Sequence, residues 1–455
     1  MSSTIIDKLS HDGRGVVTVG GKKTFIDGVL PGEEVTWVYT KRHRRYDEAK
    51  VQDIIKMSSD RINPACPSFL TCGGCSYQHM STQSQLLYKQ NIVSELLQHF
   101  GGDIIPNSWL PPLSAGSSYG YRTKARLGVR YVIKKQKLII GFREKASNYL
   151  TDMDGCIVLH PKLNALIKPL GNLILNLSIY DQIPQVEFAM GDENIILILR
   201  IMQELSQNDY ITVNNFLENL DQEITLLLQP GDLASTYRFN LDRNIKDTNI
   251  PDITYSYNNK DKNFTIQYLF QPHDFTQVNL ELNNLMLTQA INILDLKGNE
   301  QVLDLFCGLG NFTLPFAKIL EQNGGKIIGV EGSEEMVLRA RVNAELNKIN
   351  NTEFYSADLY KLDRPDYQSE IYYPWLNKKY DCVILDPPRS GAKELLPYLA
   401  KLNPNKILYI SCDPATFARD VGILCNQYGY KFISTGIMDM FPHTKHVETM
   451  GYLIK

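Results

Sequence analysis

From about residue 265 the chain repeats one rhythm: a short apolar run, a polar or glycine-bearing joint, then apolar positions at helical spacing. The runs 301–306, 326–331, 381–385 and 406–411 are short and almost continuously apolar, the signature of strands buried on both faces. Helices are predicted over 280–293, 312–320, about 333–348 and 415–428. Such alternation specifies an α/β fold, a parallel sheet wrapped on both faces. The first 57 residues differ: brief β-rich stretches at 15–19, 24–26 and 35–39, broken by Gly20-Gly21 and Pro31-Gly32, suggest a small antiparallel barrel. Between the two, 82–99 carries Leu86, Leu87, Ile92, Val93, Leu96 and Leu97 on one helical face. Residues 151–260 mix strand-like and helix-like pieces and end in a polar loop at 258–263. The expected division is 1–58, 59–262 and 263–455, with 82–117 packing against the last part.

Charge changes this picture locally. The net charge of the 455 residues is only -3, so any nucleic-acid footprint must lie in its distribution. Lys41, Arg42, Arg44 and Arg45 put four fixed positive charges in one short loop. Residues 121–145 hold nine basic residues against the single acid Glu144, with Tyr121 and Tyr131 interleaved. Arg122, Lys124 and Arg126 alternate with Thr123, Ala125 and Leu127, so they share one face of a strand. A ladder of that kind tracks a phosphate backbone, and nearby aromatics stack on bases. The bland alternative in both places is a solvated surface. The N-terminus lacks a basic start followed by an apolar run, and the apolar run 195–199 is far short of the roughly 20 residues that cross a bilayer, so a cytoplasmic protein is expected.

Three joints of the alternating region carry chemistry. Asp304-Leu-Phe-Cys-Gly-Leu-Gly-Asn311 closes the first strand, where Gly308 and Gly310 let the backbone approach a ligand, and Glu331 closes the next strand. Thr313 breaks the dinucleotide fingerprint and no Walker lysine follows. Asp386-Pro-Pro-Arg-Ser-Gly391 closes a third strand, at the sheet edge where open α/β folds bind ligands. Cys412 follows a fourth, near a helix N-terminus that lowers a thiol pKa. Residues 441–448 add His443, His446 and Glu448 as candidate bases. Cys66, Cys72, Cys75 and Cys156 supply four thiolates, a set that suits zinc or an iron–sulphur cluster.

The stretches QVN (277–279), DLFCGLGNF (304–312), LDPPRSG (385–391), SCDPATFARD (411–420) and FPHTKHVE (441–448) resemble, in order and spacing, those of the RNA uracil-C5 methyltransferases. Within that family the chain is most similar to the branch acting on 23S ribosomal RNA. The resemblance implies a Rossmann-like S-adenosylmethionine methyltransferase domain over 263–455. An N-terminal TRAM (OB-like β-barrel) domain would cover 1–58, and a central α+β iron–sulphur domain 59–262. It also implies Cys412 as nucleophile and Glu448 as base. Gln277, Phe306, Asn311, Glu331, Asp358 and Asp386 would line the pocket for S-adenosylmethionine and the base, with Asp358 where relatives carry Asn. A 4Fe–4S cluster would sit on the four cysteines, and a uridine of 23S rRNA would flip out of its stack to reach the site. Within the family the alternatives are the same reaction on tRNA or a two-site rRNA enzyme; outside it, two rivals are a non-catalytic RNA-binding assembly factor and an adenine-N6 methyltransferase. Cys412 and Glu448 argue against the first, and Arg389 after the two prolines against the second.

Overall fold

The computed structural model describes residues 3–362 and 373–455. Its largest sheet follows from strands with no solvent-facing side. Cys382–Leu385 and Gln301–Leu305 are buried almost throughout, so helices must cover both faces. Eight strands result, in the spatial order Thr352–Ser356, Lys326–Glu331, Gln301–Leu305, Cys382–Leu385, Lys406–Ser411, Glu448–Ile454, Lys431–Met438 and Ser108–Trp109. The first five run parallel. The chain's last strand, Glu448–Ile454, inserts antiparallel between Lys406–Ser411 and Lys431–Met438, with Glu448 opposite Met438. The sheet is therefore mixed rather than purely parallel. Strands Thr352–Ser356 and Lys431–Met438 escape the sequence pattern because the first is polar and half-buried and the second is interrupted by Ser434, Thr435 and Gly436.

The amino-terminal half contributes directly to this unit. Ser108–Trp109 extends the sheet edge. Helix Thr82–Phe100, capped by Ser81, buries Val93 and Leu97 in one core with Val421 and Leu424 of helix Pro414–Asn426. The buried face differs from the expected one. Leu87 is exposed, whereas the polar Gln85 and Lys89 are fully buried, because their partners lie in the loop before Glu448. Gly101 at the end of this helix rests against Gly422, and a Cβ there would lie 2.4 Å from the Gly101 carbonyl oxygen.

A second sheet of six strands has the order Tyr237–Arg238, Ile224–Gln229, Ile195–Arg200, Gln185–Met190, Lys124–Val132 and Lys137–Gly141. Helices Ile167–Leu175 and Gln207–Glu218 pack on one face. The other face meets hairpin Ile253–Asn259/Phe264–Phe270, whose tyrosines join the core of the large sheet. The polar stretch 258–263 is thus a hairpin turn, and the division expected after 262 falls inside it. The N-terminal sheet encloses Ile6, Val17, Ile26, Val29, Val35 and Ala49. It is not wholly antiparallel, since Lys22–Asp27 pairs parallel with Tyr46–Lys56. No helix among the described residues is long and apolar enough to cross a membrane.

Because Gly422 leaves no room for a methyl group, Gly422→Ala is expected to push the two helices apart and destabilise the fold by about 1–3 kcal/mol. Denaturant unfolding of both proteins measures this; a midpoint equal to that of the parent would show that the helices are not closely packed.

Candidate active site

The carboxyl ends of the parallel strands open into one cavity of about 620 Å³. Its lining includes Gln277, Phe306, Asn311, Glu331, Asp358, Asp386, Cys412 and Glu448, so the eight residues expected around cofactor and reaction meet in one place. Local backbone explains how they get there. Phe306 adopts a left-handed φ of 65° as its strand ends, and Gly308 and Gly310 continue the turn at 54° and 94°. Glu331 is fixed by its own surroundings: its carboxylate accepts from the amides of Gly308 at 3.1 Å, Gly332 at 2.7 Å and Ser333 at 3.1 Å. The carboxamides of Asn311 and Asn283 exchange two hydrogen bonds of 3.0 Å, and Tyr268 donates to the Asn311 carbonyl at 2.9 Å. Asp358 faces Lys361 at 2.7 Å and accepts from the amide of Tyr360 at 3.1 Å. Of the QVN stretch, Gln277 lines the cavity, whereas Asn279 caps helix Leu280–Leu294 by accepting from the amide of Leu282.

Electrostatics set the resting state of this cavity. Burial pushes Asp386 up to about 7, with the charge of Glu331 adding to it. Burial likewise pushes Glu448 up to about 8; Asp386 adds to the rise, and Arg389 and Lys89 oppose it. Asp304, beneath the glycine turn, is pushed up to about 8 by burial and keeps one hydrogen bond from the Thr313 hydroxyl at 2.5 Å. The Cys412 thiol goes the opposite way from the sequence expectation. Burial raises it to about 12, reinforced by Glu448 and Asp386 and only partly offset by Arg389. The helix N-terminus offers little help because Asp413 caps it, accepting from the amides of Ala415 and Thr416 at 3.0 Å. Neither candidate imidazole lines the cavity. His443 stacks on Tyr119 at 4.4 Å and engages Gln85 at 3.2 Å, and His446 meets Arg389 at 3.2 Å. Burial lowers both histidines to about 4. Glu448 is the one candidate base that reaches the cavity.

Other predicted residues lie apart. Cys66, Cys75 and Cys156 share an apolar cluster with Phe69, Tyr121 and Val158. Burial pushes the Cys75 thiol up to about 12, and Cys156, Cys72 and Cys66 each contribute, so the four thiols face a common space. Among the described residues, however, no group of three or more His, Cys, Asp or Glu is gathered tightly enough to hold a metal ion. Lys41, Arg42, Arg44 and Arg45 are exposed, but Lys41 and Arg42 belong to strand Glu34–Arg42 rather than to a loop, and Arg42 stacks over Tyr39 at 4.1 Å. The expected unbalanced ladder is corrected. Glu187 on the neighbouring strand pairs with Arg126 at 3.1 Å, Lys124 donates to the Asp274 carbonyl at 2.5 Å, and Arg122 donates to the Lys124 carbonyl at 2.9 Å. These partners are distant in sequence and invisible to a local charge count. The sequence reading also assigned no cavity role to Phe275, Met336, Tyr360 and Arg389, which line it as well. Arg389 lies within the 386–391 stretch already singled out, whereas the exposure of Phe275 becomes visible only in the structure.

The sheet order and a cavity at its carboxyl edge define the α/β fold of S-adenosylmethionine-dependent methyltransferases. The whole chain superposes on Pyrococcus abyssi tRNA (uracil-54, C5)-methyltransferase in complex with S-adenosyl-L-homocysteine. The TM-score is 0.73 over 100% of both chains at 23% identity, a likeness of fold. The profile of the family described as tRNA (Uracil-5-)-methyltransferase matches residues 85–455. The chain belongs to this family of uracil-5-methyltransferases. It is 44% identical over 450 residues to the 23S rRNA (uracil(1939)-C(5))-methyltransferase RlmD of Hahella chejuensis, covering 99% of this chain and 96% of that one. To the protein of the same description from Nitrosococcus oceani it is 42% identical over 446 residues, covering 98% and 94%.

The carboxylates around Cys412 are open to test. Removing a negative charge favours the thiolate, so Glu448→Gln and Asp386→Asn are each expected to lower the thiol pKa and speed alkylation of Cys412 by iodoacetamide at pH 8 or so. Mass-spectrometric rates read this, with Cys412→Ala as blank. Rates unchanged in both variants would mean that the carboxylates do not govern the thiol.

Proposed function

We propose that the protein transfers a methyl group from S-adenosylmethionine to carbon 5 of a uridine in 23S rRNA, through a covalent adduct on Cys412. The observation that carries this reading is the meeting of a thiol, a buried carboxyl with a raised pKa and the ligand-lining loops in one cavity. The family and the description of the full-length relatives support uracil and ribosomal RNA as the target.

Uracil carbon 5 is a weak nucleophile. Cys412 gives its proton to the partly ionised Asp386 beside it, and addition of its sulphur to carbon 6 turns the ring into an enolate and makes carbon 5 electron-rich. Bound S-adenosylmethionine supplies the electrophilic methyl group and a positive charge. Carbon 5 bonds that methyl group as the methyl–sulphonium bond breaks; Glu448 then takes the proton from carbon 5, the bond between carbon 6 and the Cys412 sulphur breaks, and the thiolate is restored. A carboxyl near 8 suits this task, since it is basic enough to accept a proton from carbon yet partly ionised near neutrality. Gln277, Phe306, Asn311, Glu331, Asp358 and Asp386 hold cofactor and base. The uridine enters flipped out of its stack, since the reacting thiol lies inside a cavity.

We assign the outer parts as follows. The N-terminal sheet is a TRAM-type barrel that presents Lys41, Arg42, Arg44 and Arg45 to the RNA backbone. Arg126, exposed on its strand, adds to that surface, with its pair to Glu187 opening on contact. Cys66, Cys72, Cys75 and Cys156 hold a 4Fe–4S cluster that braces the central region. Four thiols around a common space fit the donor set. Protein prepared without oxygen is expected to carry iron and acid-labile sulphide in equal amounts, and Cys75→Ser to lose both; zinc in place of iron would overturn the assignment.

The reaction is tested with labelled cofactor and separate pools of rRNA and tRNA that lack uracil methylation. Label is expected in rRNA as 5-methyluridine, none with Cys412→Ala, and an accumulated protein–RNA adduct on denaturing gels with Glu448→Gln. Label in tRNA alone keeps the chemistry and overturns the substrate. Normal turnover by Cys412→Ala overturns the covalent route. Binding of rRNA without methyl transfer favours the assembly factor.

A further inference from the structure

Lys89 occupies an unusual place for a cation. It is fully buried on helix Thr82–Phe100, outside the ring of cavity-lining residues, and its ammonium lies 2.6 Å from Asp439. The same ammonium donates to the Phe441 carbonyl at 3.2 Å. Asp439 follows Met438, which pairs across the sheet with Glu448, so the cation sits at the mouth of the hairpin that carries this carboxyl. The intervening turn is held from the same side. The amides of Ser76 and Tyr77 donate to the His443 carbonyl at 2.7 and 2.9 Å, and the Tyr121 hydroxyl donates to the Pro442 carbonyl at 3.2 Å. Gln85 accepts from the His443 amide at 3.0 Å. His443 itself adopts a left-handed φ of 64°, a conformation that persists only where its surroundings enforce it.

A buried ion pair is seldom the best way to stabilise a core, because an apolar pair of equal volume serves as well or better. Retention of a charge here calls for another reason, and the nearest unexplained charge problem is Glu448. We propose that Lys89 is a positioning residue for Glu448, holding its hairpin through Asp439 and Phe441 and placing the Asp439-paired ammonium behind the carboxyl. This inference rests on the reading of Glu448 as the base. The groups that face Glu448 are Asp386 and Arg389 from the loop after Cys382–Leu385, Cys412 from the loop after Lys406–Ser411, and Lys89 from the helix. His443, His446 and Asp439 face Lys89 and complete the set. Asp386 and burial drive the carboxyl towards its protonated form, in which it cannot accept a proton; Lys89 and Arg389 work against them. Loss of the Lys89 charge therefore raises the pH at which Glu448 becomes a base.

The test isolates proton removal. Wild-type covalent adduct, formed with RNA and cofactor, is jumped to a range of pH values by rapid quench, and its decay is followed on denaturing gels. Lys89→Gln keeps a donor towards Asp439 and Phe441 but removes the charge. Lys89→Met with Asp439→Leu replaces the pair by an apolar one, and Lys89→Arg keeps the charge. Binding of S-adenosylhomocysteine checks the fold of each. The acidic limb of the decay profile is expected to move up by about half a pH unit in the two uncharged variants, a roughly threefold slower decay at its acidic end, and to stay in place in Lys89→Arg. Where the double variant does not fold, Lys89→Gln decides. An unmoved limb in Lys89→Gln, or equal slowing at every pH in all variants, overturns the inference. Glu448→Gln separates the two levels. A wild-type limb in that variant overturns the base itself, whereas a lost limb there with unmoved limbs in the Lys89 variants overturns only the role of Lys89.

Discussion

The exclusion of water from several acids at one sheet edge is the constraint on which the site depends. Asp304, Asp386 and Glu448 are each taken from solvent with few donors in exchange, so each resists ionisation. A cavity in that state carries less negative charge than its acids could supply before it is filled. A cationic ligand entering it favours the ionised acids, and ionised acids in turn hold the cation. The same desolvation favours the protonated Cys412 thiol, so it is not left exposed as a reactive thiolate.

Architecture places these groups because the parallel strands deliver their loops to one side. Strand order alone brings the loop after Gln301–Leu305 next to the loops after Lys326–Glu331 and Cys382–Leu385. The antiparallel return of Glu448–Ile454 then sets its first residue beside the exit of Lys406–Ser411, where Ser411 pairs with Thr449. Cys412 and Glu448, 36 positions apart in sequence, become neighbours through this one register. A slip of one residue would turn Glu448 to the other face of the sheet.

Much of this was legible beforehand. Lys326–Glu331 and Lys406–Ser411 have the bounds read from their apolar runs, since a strand buried on both faces leaves a continuous signature. The cavity-lining loops were visible because glycine, proline and acid residues cluster at strand ends. What failed depends on distant partners. Lys89 and Gln85 look like solvent-facing helix positions until Asp439 and His443 are placed opposite them. Arg126 looks unbalanced until Glu187 pairs with it. Cys412 stands at a helix start in sequence, but burial outweighs that position and Asp413 already takes the first free amides of the helix. A polar edge strand such as Thr352–Ser356 has no periodicity strong enough to announce it.

The position of the last strand also governs how the chain comes into being. Glu448–Ile454 is the last strand in chain order and lies between two strands made earlier, and the far edge of that sheet is Ser108–Trp109, made much earlier still. During synthesis from the N-terminus the sheet therefore waits with a gap, and its edge strand waits for a neighbour more than 300 positions away in sequence. Contacts of such long range make folding slow and leave strand edges open in the interval. The carboxyl at position 448 enters only when the final strand seats. A chain stalled before that point leaves the cavity without this carboxyl.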